Sequence, residues 1–164
     1  LDEYAIRDLV ASAAPIDGFG VGTEWAAVSD AASIDFAYKL AEYNGEPRIK
    51  ASTNKSTWPG PKQVWRHSRH GRMVGDTVAA ADEAAPVGGE SLLRPAIRGG
   101  EACAGALPSL QSVREHAARE LTALPEALRS LSPADTPYPV AISDRLQSRK
   151  QQLIETYRVG KGDD

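Results

Sequence analysis

Residues 1–23, LDEYAIRDLVASAAPIDGFGVGT, decide the reading of the fold. Tyr4, Ile6, Leu9, Val10 and Ala13 recur at roughly helical spacing, and Asp2 and Glu3 fall in the first turn, where the helix dipole favours anions. Pro15 ends that helix, and Ile16-Asp17-Gly18-Phe19-Gly20-Val21 reads as a short buried strand running into a glycine turn. Helix, strand and glycine loop in this order belong to an α/β unit.

The next 27 residues change character. Asp35 to Tyr43, then Asn44-Gly45, then Glu46 to Lys50 read as a β-hairpin, because Asn-Gly supplies the two positive φ angles of a type I′ turn. A two-residue loop pairs Tyr43 with Glu46 and Glu42 with Pro47, and the proline marks a sheet edge. Gln63 to His67, with a turn near His70-Gly71-Arg72, predicts another strand and hairpin, so the middle of the chain is expected to be antiparallel β. Residues 84–105 are rich in Gly and Pro, with Leu92 to Arg98 as one expected strand. Ser109 to Leu124 carries Leu110, Val113, Ala117, Leu121 and Leu124 on one helical face, with Ser109 or Ser112 available to cap its start, and a second helix is expected from Ser143 through Leu146, Leu153, Ile154 and Tyr157. The tail 160–164 is expected to fray.

Composition sets limits on function. With 164 residues, 41% of them hydrophobic and 6% aromatic, one domain with a modest core is expected. No stretch reaches the roughly 18 apolar residues of a membrane span, and no leader pattern opens the chain, so a soluble cytoplasmic protein is expected. The absence of Met at position 1 reads as a chain that begins inside a larger architecture. Cys103 is the single cysteine, so neither an intrachain disulfide nor a cysteine metal site can form. The net charge of −3 hides a basic middle, since residues 48–72 hold seven Lys or Arg and no acid.

Several patterns admit a chemical and a plain reading. Gly18-Phe19-Gly20-Val21-Gly22-Thr23 lacks both the dinucleotide spacing and the lysine of a P-loop. Its glycines would let backbone N–H groups approach a phosphate, with the Thr23 hydroxyl as a further donor; the plain reading is a turn using glycine's conformational freedom. The basic stretch with Trp58 and Trp65 has the ingredients of a nucleic-acid face, but the acidity of the whole chain favours a solvated hairpin surface. His67 and His70 lack a nearby carboxylate or thiol, so no metal site is assigned, and Cys103 and His116 lack a third partner for nucleophilic catalysis. Trp25 and Phe36 read as core or interface residues.

Four ordered stretches together resemble one family. LDEYAIRDLVASAAPIDGFGVGT resembles the last barrel helix, strand and loop of nicotinate phosphoribosyltransferases, and SDAASIDFAYKLAEYNGEPRIKAS resembles their following hairpin. KSTWPGPKQVWR resembles their K-x-T-x-P-G-x-K-x-V-x-R segment, and GESLLRPAIRGGEACAGALPSLQSVREHA with YPVAISDRLQ completes the likeness from Leu1 to about Tyr157. The resemblance implies the C-terminal part of an enzyme that couples ATP hydrolysis to joining nicotinate and phosphoribosyl pyrophosphate in NAD salvage. It implies an irregular α/β barrel paired with an open-faced β sandwich, Mg²⁺ and ATP for the complete enzyme, none bound by this chain alone, and a homodimer. On this chain residues 1–35 would end the barrel, 36–104 would form antiparallel strands of the sandwich and 105–164 the C-terminal helices; as a fragment the class is α+β. Carried over residue by residue, Gly20, Gly22 and Thr23 bind the ribosyl 5-phosphate while Gly18 and Phe19 shape the turn.

The likeness departs at Pro61, where the family commonly has Arg. The family's phosphorylated His and its Arg- and Asp-bearing substrate motif are expected upstream of Leu1, and none of His67, His70 or His116 matches the phosphorylated position. No catalytic residue is therefore assigned, and the isolated chain is expected to be inactive. Two other classes remain beside this one: a noncatalytic interaction module derived from the family, and a nucleic-acid binder using residues 48–72.

Overall fold

The computed structural model describes residues 1–27, 33, 38–50 and 56–159. The start of the strand expected over Asp35 to Tyr43, residues 35–37 with Phe36, and the tail from Gly160 lie outside the described residues, as does the side chain of Trp25. The chain divides into two compact units, Leu1–Tyr38 with Ser130–Pro133, and Lys39–Arg129 with Ala134–Asp164.

In the first unit, helix α1 spans Glu3–Ala11. Asp2 is its N-cap rather than a first-turn residue, accepting the Ala5 N–H at 2.7 Å, which satisfies one of the donors a helix start leaves free. The helix stops before Pro15: the Ser12 N–H closes the last turn on the Asp8 carbonyl at 3.0 Å, and Ala13 adopts a φ of 51°. The buried strand expected over Ile16 to Val21 is not formed; Ile16 and Phe19 are exposed and no ladder partner lies beside them among the described residues. A strand exists only by pairing, and apolar residues alone do not supply a neighbour. A short helix, α2, follows at Thr23–Ala27.

The second unit begins with the hairpin of β1 (Glu42–Tyr43) and β2 (Glu46–Pro47), in the expected register of Glu42 with Pro47 and Tyr43 with Glu46. Asn44 and Gly45 have φ of 52° and 76°, as a type I′ turn demands. The pairing is shorter than expected, since Tyr38 to Ala41 are not paired as strand.

The main sheet contains β3 (Lys62–Arg69), β4 (Arg72–Ala80), β5 (Gly89–Ser91) and β8 (Val140–Ile142), in the order β5-β3-β4-β8. Its first three strands are antiparallel and β8 joins β4 in parallel, so the sheet is mixed rather than wholly antiparallel. The strand expected over Leu92 to Arg98 is not formed as such: Leu92 to Ala96 is not strand, and only its last two residues are. Gly89–Ser91 pairs with β3, while β6 (Ile97–Arg98) turns through Gly99-Gly100 into β7 (Glu101–Ala102). Pro95 between them lacks the N–H a continuous strand would donate.

Helix α3 covers Leu110–Ala123, capped by Ser109, whose Oγ accepts the Ser112 N–H at 3.2 Å. Its apolar stripe does not face a core: no residue of α3 is buried and every residue from Leu107 to Arg119 is exposed. A single turn, α4 (Glu126–Arg129), follows Pro125, and α5 runs from Asp144 to Val159. Ser143 starts α5 as expected: its Oγ accepts the Leu146 N–H at 3.2 Å and donates to Glu83 at 2.6 Å. The core gathers Met73, Ala79 and Ala80 of β4 and Leu146 of α5, all under 5% exposed.

Candidate functional site

The glycine loop is open on every side. Gly18, Phe19, Gly20, Gly22 and Thr23 are exposed and Val21 is half-buried. Among the described residues, no amide from Gly18 to Gly22 donates to a backbone carbonyl. None of the three glycines has φ in the positive region, and a Cβ added at any of them would meet no atom within 4 Å. Neither backbone conformation nor internal packing therefore calls for glycine at these positions, although glycine costs about 0.5–1 kcal/mol in conformational entropy where nothing requires it. Thr23 opens α2 directly after the last glycine.

In the second unit, residues 56–62 fold back on the β1–β2 hairpin and on α5. Pro59 is fully buried, and Gly60, at φ 69°, donates its N–H to the Ala41 carbonyl at 2.7 Å. The same carbonyl accepts the Arg48 N–H at 2.8 Å, which ties the proline-glycine turn to the base of the hairpin. Lys62 turns its ammonium onto the carbonyls of Trp58 (2.9 Å) and Gly60 (2.5 Å), and burial lowers its pKa. Lys150 of α5 lies 4.1 Å over the Trp58 ring and donates to Ser56 at 2.8 Å, while Arg145 and Arg149 share Asp82 at 2.5 and 3.3 Å.

Three of the seven cations in the basic middle of the chain, Lys62, Arg66 and Arg72, are spent on the protein itself. Arg66 grips Asp76 through Nε–Oδ1 and NH2–Oδ2, both 3.0 Å, and reaches Glu120 of α3 at 2.6 Å. Its pKa is raised, first by the hydrogen bond to Asp76. Burial pushes the Asp76 carboxyl up, but hydrogen bonds from Arg66 and Tyr138 and the Arg66 charge outweigh it, leaving the carboxyl below its ordinary value. Tyr138 is raised by burial and by donating to Asp76 at 2.9 Å. Arg72 caps the end of α3 on the carbonyls of Thr122 (2.7 Å) and Leu124 (3.2 Å). With Lys62, Arg66 and Arg72 engaged and Trp65 placing its indole N–H in a buried position, the stretch is not a continuous cationic, aromatic face.

Each histidine and the cysteine stand apart from such a centre. His67 Nε2 lies 3.0 Å from Thr77 Oγ1 across the β3–β4 pair, and His70 forms the turn with φ 51°. His116 is exposed on α3 and Cys103 is a half-buried thiol. Among the described residues, no three His, Cys, Asp or Glu side chains converge as a metal site. Sequence reasoning missed Asp76, Asp82, Glu120 and Tyr138. Only Asp76 carried a signal, as an acid one hairpin away from the basic strand.

The comparisons with known proteins agree with this architecture. Residues 85–150 match the family model of the nicotinate phosphoribosyltransferase C-terminal domain. The chain is 44% identical over 153 residues to nicotinate phosphoribosyltransferase pncB2 of Mycobacterium tuberculosis, a match covering 93% of this chain and 33% of that protein. It is 31% identical over 178 residues to the Homo sapiens nicotinate phosphoribosyltransferase, covering 93% of this chain and 32% of that one. The crystal structure of human nicotinic acid phosphoribosyltransferase superposes with a TM-score of 0.61 at 28% identity, covering 72% of this chain and 26% of that chain. The chain thus spans about a third of the length of the curated relatives it matches. Sequence, C-terminal domain model and fold agree that this chain is similar to the C-terminal region of nicotinate phosphoribosyltransferases.

Proposed function

We propose that this chain contributes the sugar-phosphate loop to a nicotinate phosphoribosyltransferase, which joins nicotinate and phosphoribosyl pyrophosphate to give nicotinate mononucleotide and pyrophosphate with ATP hydrolysis. The observation that carries the reading is the trio Gly18, Gly20 and Gly22, held without positive φ and with open space where a side chain would sit. Such positions favour glycine when a group from outside must come close to the backbone, and a phosphate bound by main-chain N–H groups is such a group. Gly20, Gly22 and Thr23 then hold the 5-phosphate, and Gly18 and Phe19 shape the approach. Fixing the phosphate positions the anomeric carbon between the departing pyrophosphate and the incoming ring nitrogen, an entropic contribution to rate rather than a bond-making one.

In this reading residues 1–35 complete an α/β barrel, 36–104 supply sandwich strands and 105–164 the C-terminal helices of a cytoplasmic homodimer. Mg²⁺, ATP and nicotinate are bound by the complete enzyme, and the isolated chain does not turn over. The test is steady-state kinetics of the complete enzyme carrying Gly20→Ala, Gly22→Ala or Thr23→Ala. The expected result is a KM for phosphoribosyl pyrophosphate raised about 10- to 100-fold, as loss of charge-assisted hydrogen bonds implies, with the KM for nicotinate little changed. An unchanged KM for phosphoribosyl pyrophosphate in all three variants would remove the loop from the site.

A further inference from the structure

Three segments distant in sequence meet at one ion pair. Asp76 on β4 and Arg66 on β3 form its centre; Glu120 of α3 reaches Arg66 from one side, and Tyr138, just before β8, reaches Asp76 from the other. The Oδ1 atom of Asp76 accepts from both Arg66 Nε (3.0 Å) and the Tyr138 hydroxyl (2.9 Å). The Asp76 backbone serves the same segment, donating its N–H to the Pro139 carbonyl at 2.9 Å.

The outer partners differ in their other attachments: α3 meets the sheet at one end, whereas the segment after Tyr138 is also held by the Pro139 carbonyl and by the β4–β8 ladder. The exposed stretch Leu107–Arg119 contributes no buried side chain, and among the described residues the polar contacts of α3 with the sheet sit at its last turn, where Glu120, Thr122 and Leu124 meet Arg66 and Arg72. Strand β8 is three residues long with β4 as its paired neighbour. A helix of this length without a buried face is marginal in water, and β8 lies at the edge of its sheet, beyond β4.

We propose that the Arg66–Asp76 pair is a conformational relay that couples the seating of α3 to the pairing of β8 with β4. Neutralising or withdrawing Glu120 lets the guanidinium reorient, which loosens its grip on Asp76 Oδ1 and thereby the anchor of Tyr138. Linked hydrogen bonds polarise one another, so loss at one end weakens the other. The groove of about 470 Å³ over the paired strands β3, β4 and β8, lined by His67, Gly75, Asp76, Thr77, Pro139 and Val140 among others, changes shape with that anchor. Neither Glu120 nor Tyr138 belongs to the glycine loop, so the relay stands or falls independently of the phosphate reading.

Hydrogen exchange read by mass spectrometry on the full chain tests it, using Glu120→Gln, Tyr138→Phe, the double variant and Glu115→Gln as a control on the same helix. Coupling is reciprocal, so Glu120→Gln should speed exchange across residues 138–143, and Tyr138→Phe across 119–124, each by roughly three- to tenfold. The double variant should then fall short of the product of the single effects, while Glu115→Gln, whose side chain accepts from Gln111 at 2.6 Å within the same helix, changes α3 alone. Effects confined to each variant's own segment, multiplying in the double variant, would overturn the relay. Should Glu120→Gln remove protection throughout β3, Glu120→Asp is read by the same criterion.

Discussion

Arg66 stands opposite Asp76 because Val74 is an extra residue in β4. The His70-Gly71 turn pairs Arg69 with Arg72 and Ser68 with Met73, and the register then shifts so that His67 meets Gly75 and Arg66 meets Asp76. Without that bulge Arg66 would face Gly75, and Asp76 would lie opposite Trp65 on the other face of the sheet. The bulge thus sets the position of the charge pair on which α3 and Tyr138 converge.

Removing one partner leaves the other charge without compensation in a poorly solvated place. Arg66 and Asp76 side chains are 20% and 11% exposed, so the full cost of breaking a buried pair is moderated by residual solvent. Arg66→Ala is expected to destabilise the second unit by about 2–3 kcal/mol in urea denaturation followed by tryptophan fluorescence. A loss below about 0.5 kcal/mol, the scale of an ordinary surface pair, would show that solvent already screens the contact.

The same pair sets a pH dependence. The Asp76 carboxyl titrates below its ordinary 3.8 in the folded chain, so its ionised form adds stability above that pH, and the contribution is lost as the pH falls through the folded value. Acid unfolding should therefore steepen below pH 3.8, and the Asp76→Asn variant, already lacking the contribution at neutral pH, should lose less stability over that acid interval. Parallel acid titrations of the two proteins by circular dichroism make the comparison. Superimposable slopes would contradict the assignment.

Local chemistry in this sequence was legible and pairing over distance was not. Asn44-Gly45 announced its turn and register because two positive φ angles are a local demand, and Ser109 and Ser143 announced two helix starts because a cap is local as well. The glycine loop was visible as a pattern, but the fact that its glycines have no internal need for their missing side chains is visible only in three dimensions. Strand β8 escaped notice because Val140–Ile142 is too short to show alternation and pairs with a strand some sixty residues earlier. Ile16 to Val21 misled in the opposite direction: its apolar residues suit a strand, but none pairs with it among the described residues. The bulge at Val74 has no signature of its own, so the partner of Arg66 could not be read from the turn alone.

Leu146 is the buried link between α5 and the sheet. It is fully buried, whereas Leu153 and Ile154 further along the helix are only half-buried, so the first turn of α5 carries most of its packing. Leu146→Ala should cost about 2–5 kcal/mol through lost burial and the cavity left behind. Ser143→Ala removes an N-cap and should cost only about 1 kcal/mol. Equal losses in the two variants by denaturant unfolding would place the attachment of α5 in its cap rather than in its packing.

Glycines that look alike in the sequence should separate when replaced by alanine. Gly60 holds a φ of 69° and donates to Ala41, and an added Cβ would find Arg149 at 3.5 Å and Pro47 at 3.9 Å, which are ordinary contacts. Its demand for glycine is therefore conformational, and Gly60→Ala should destabilise the chain by about 1–2 kcal/mol, the cost of the left-handed region for a residue with a Cβ. Gly20 has no positive φ and open space around it, so Gly20→Ala should leave stability unchanged or raise it by about 0.4–1 kcal/mol through a less disordered unfolded chain. Melting curves of the two variants measure both signs at once. If Gly20→Ala proved as destabilising as Gly60→Ala, glycine at position 20 would be serving the fold itself, and the argument that it makes room for a phosphate would lose its footing.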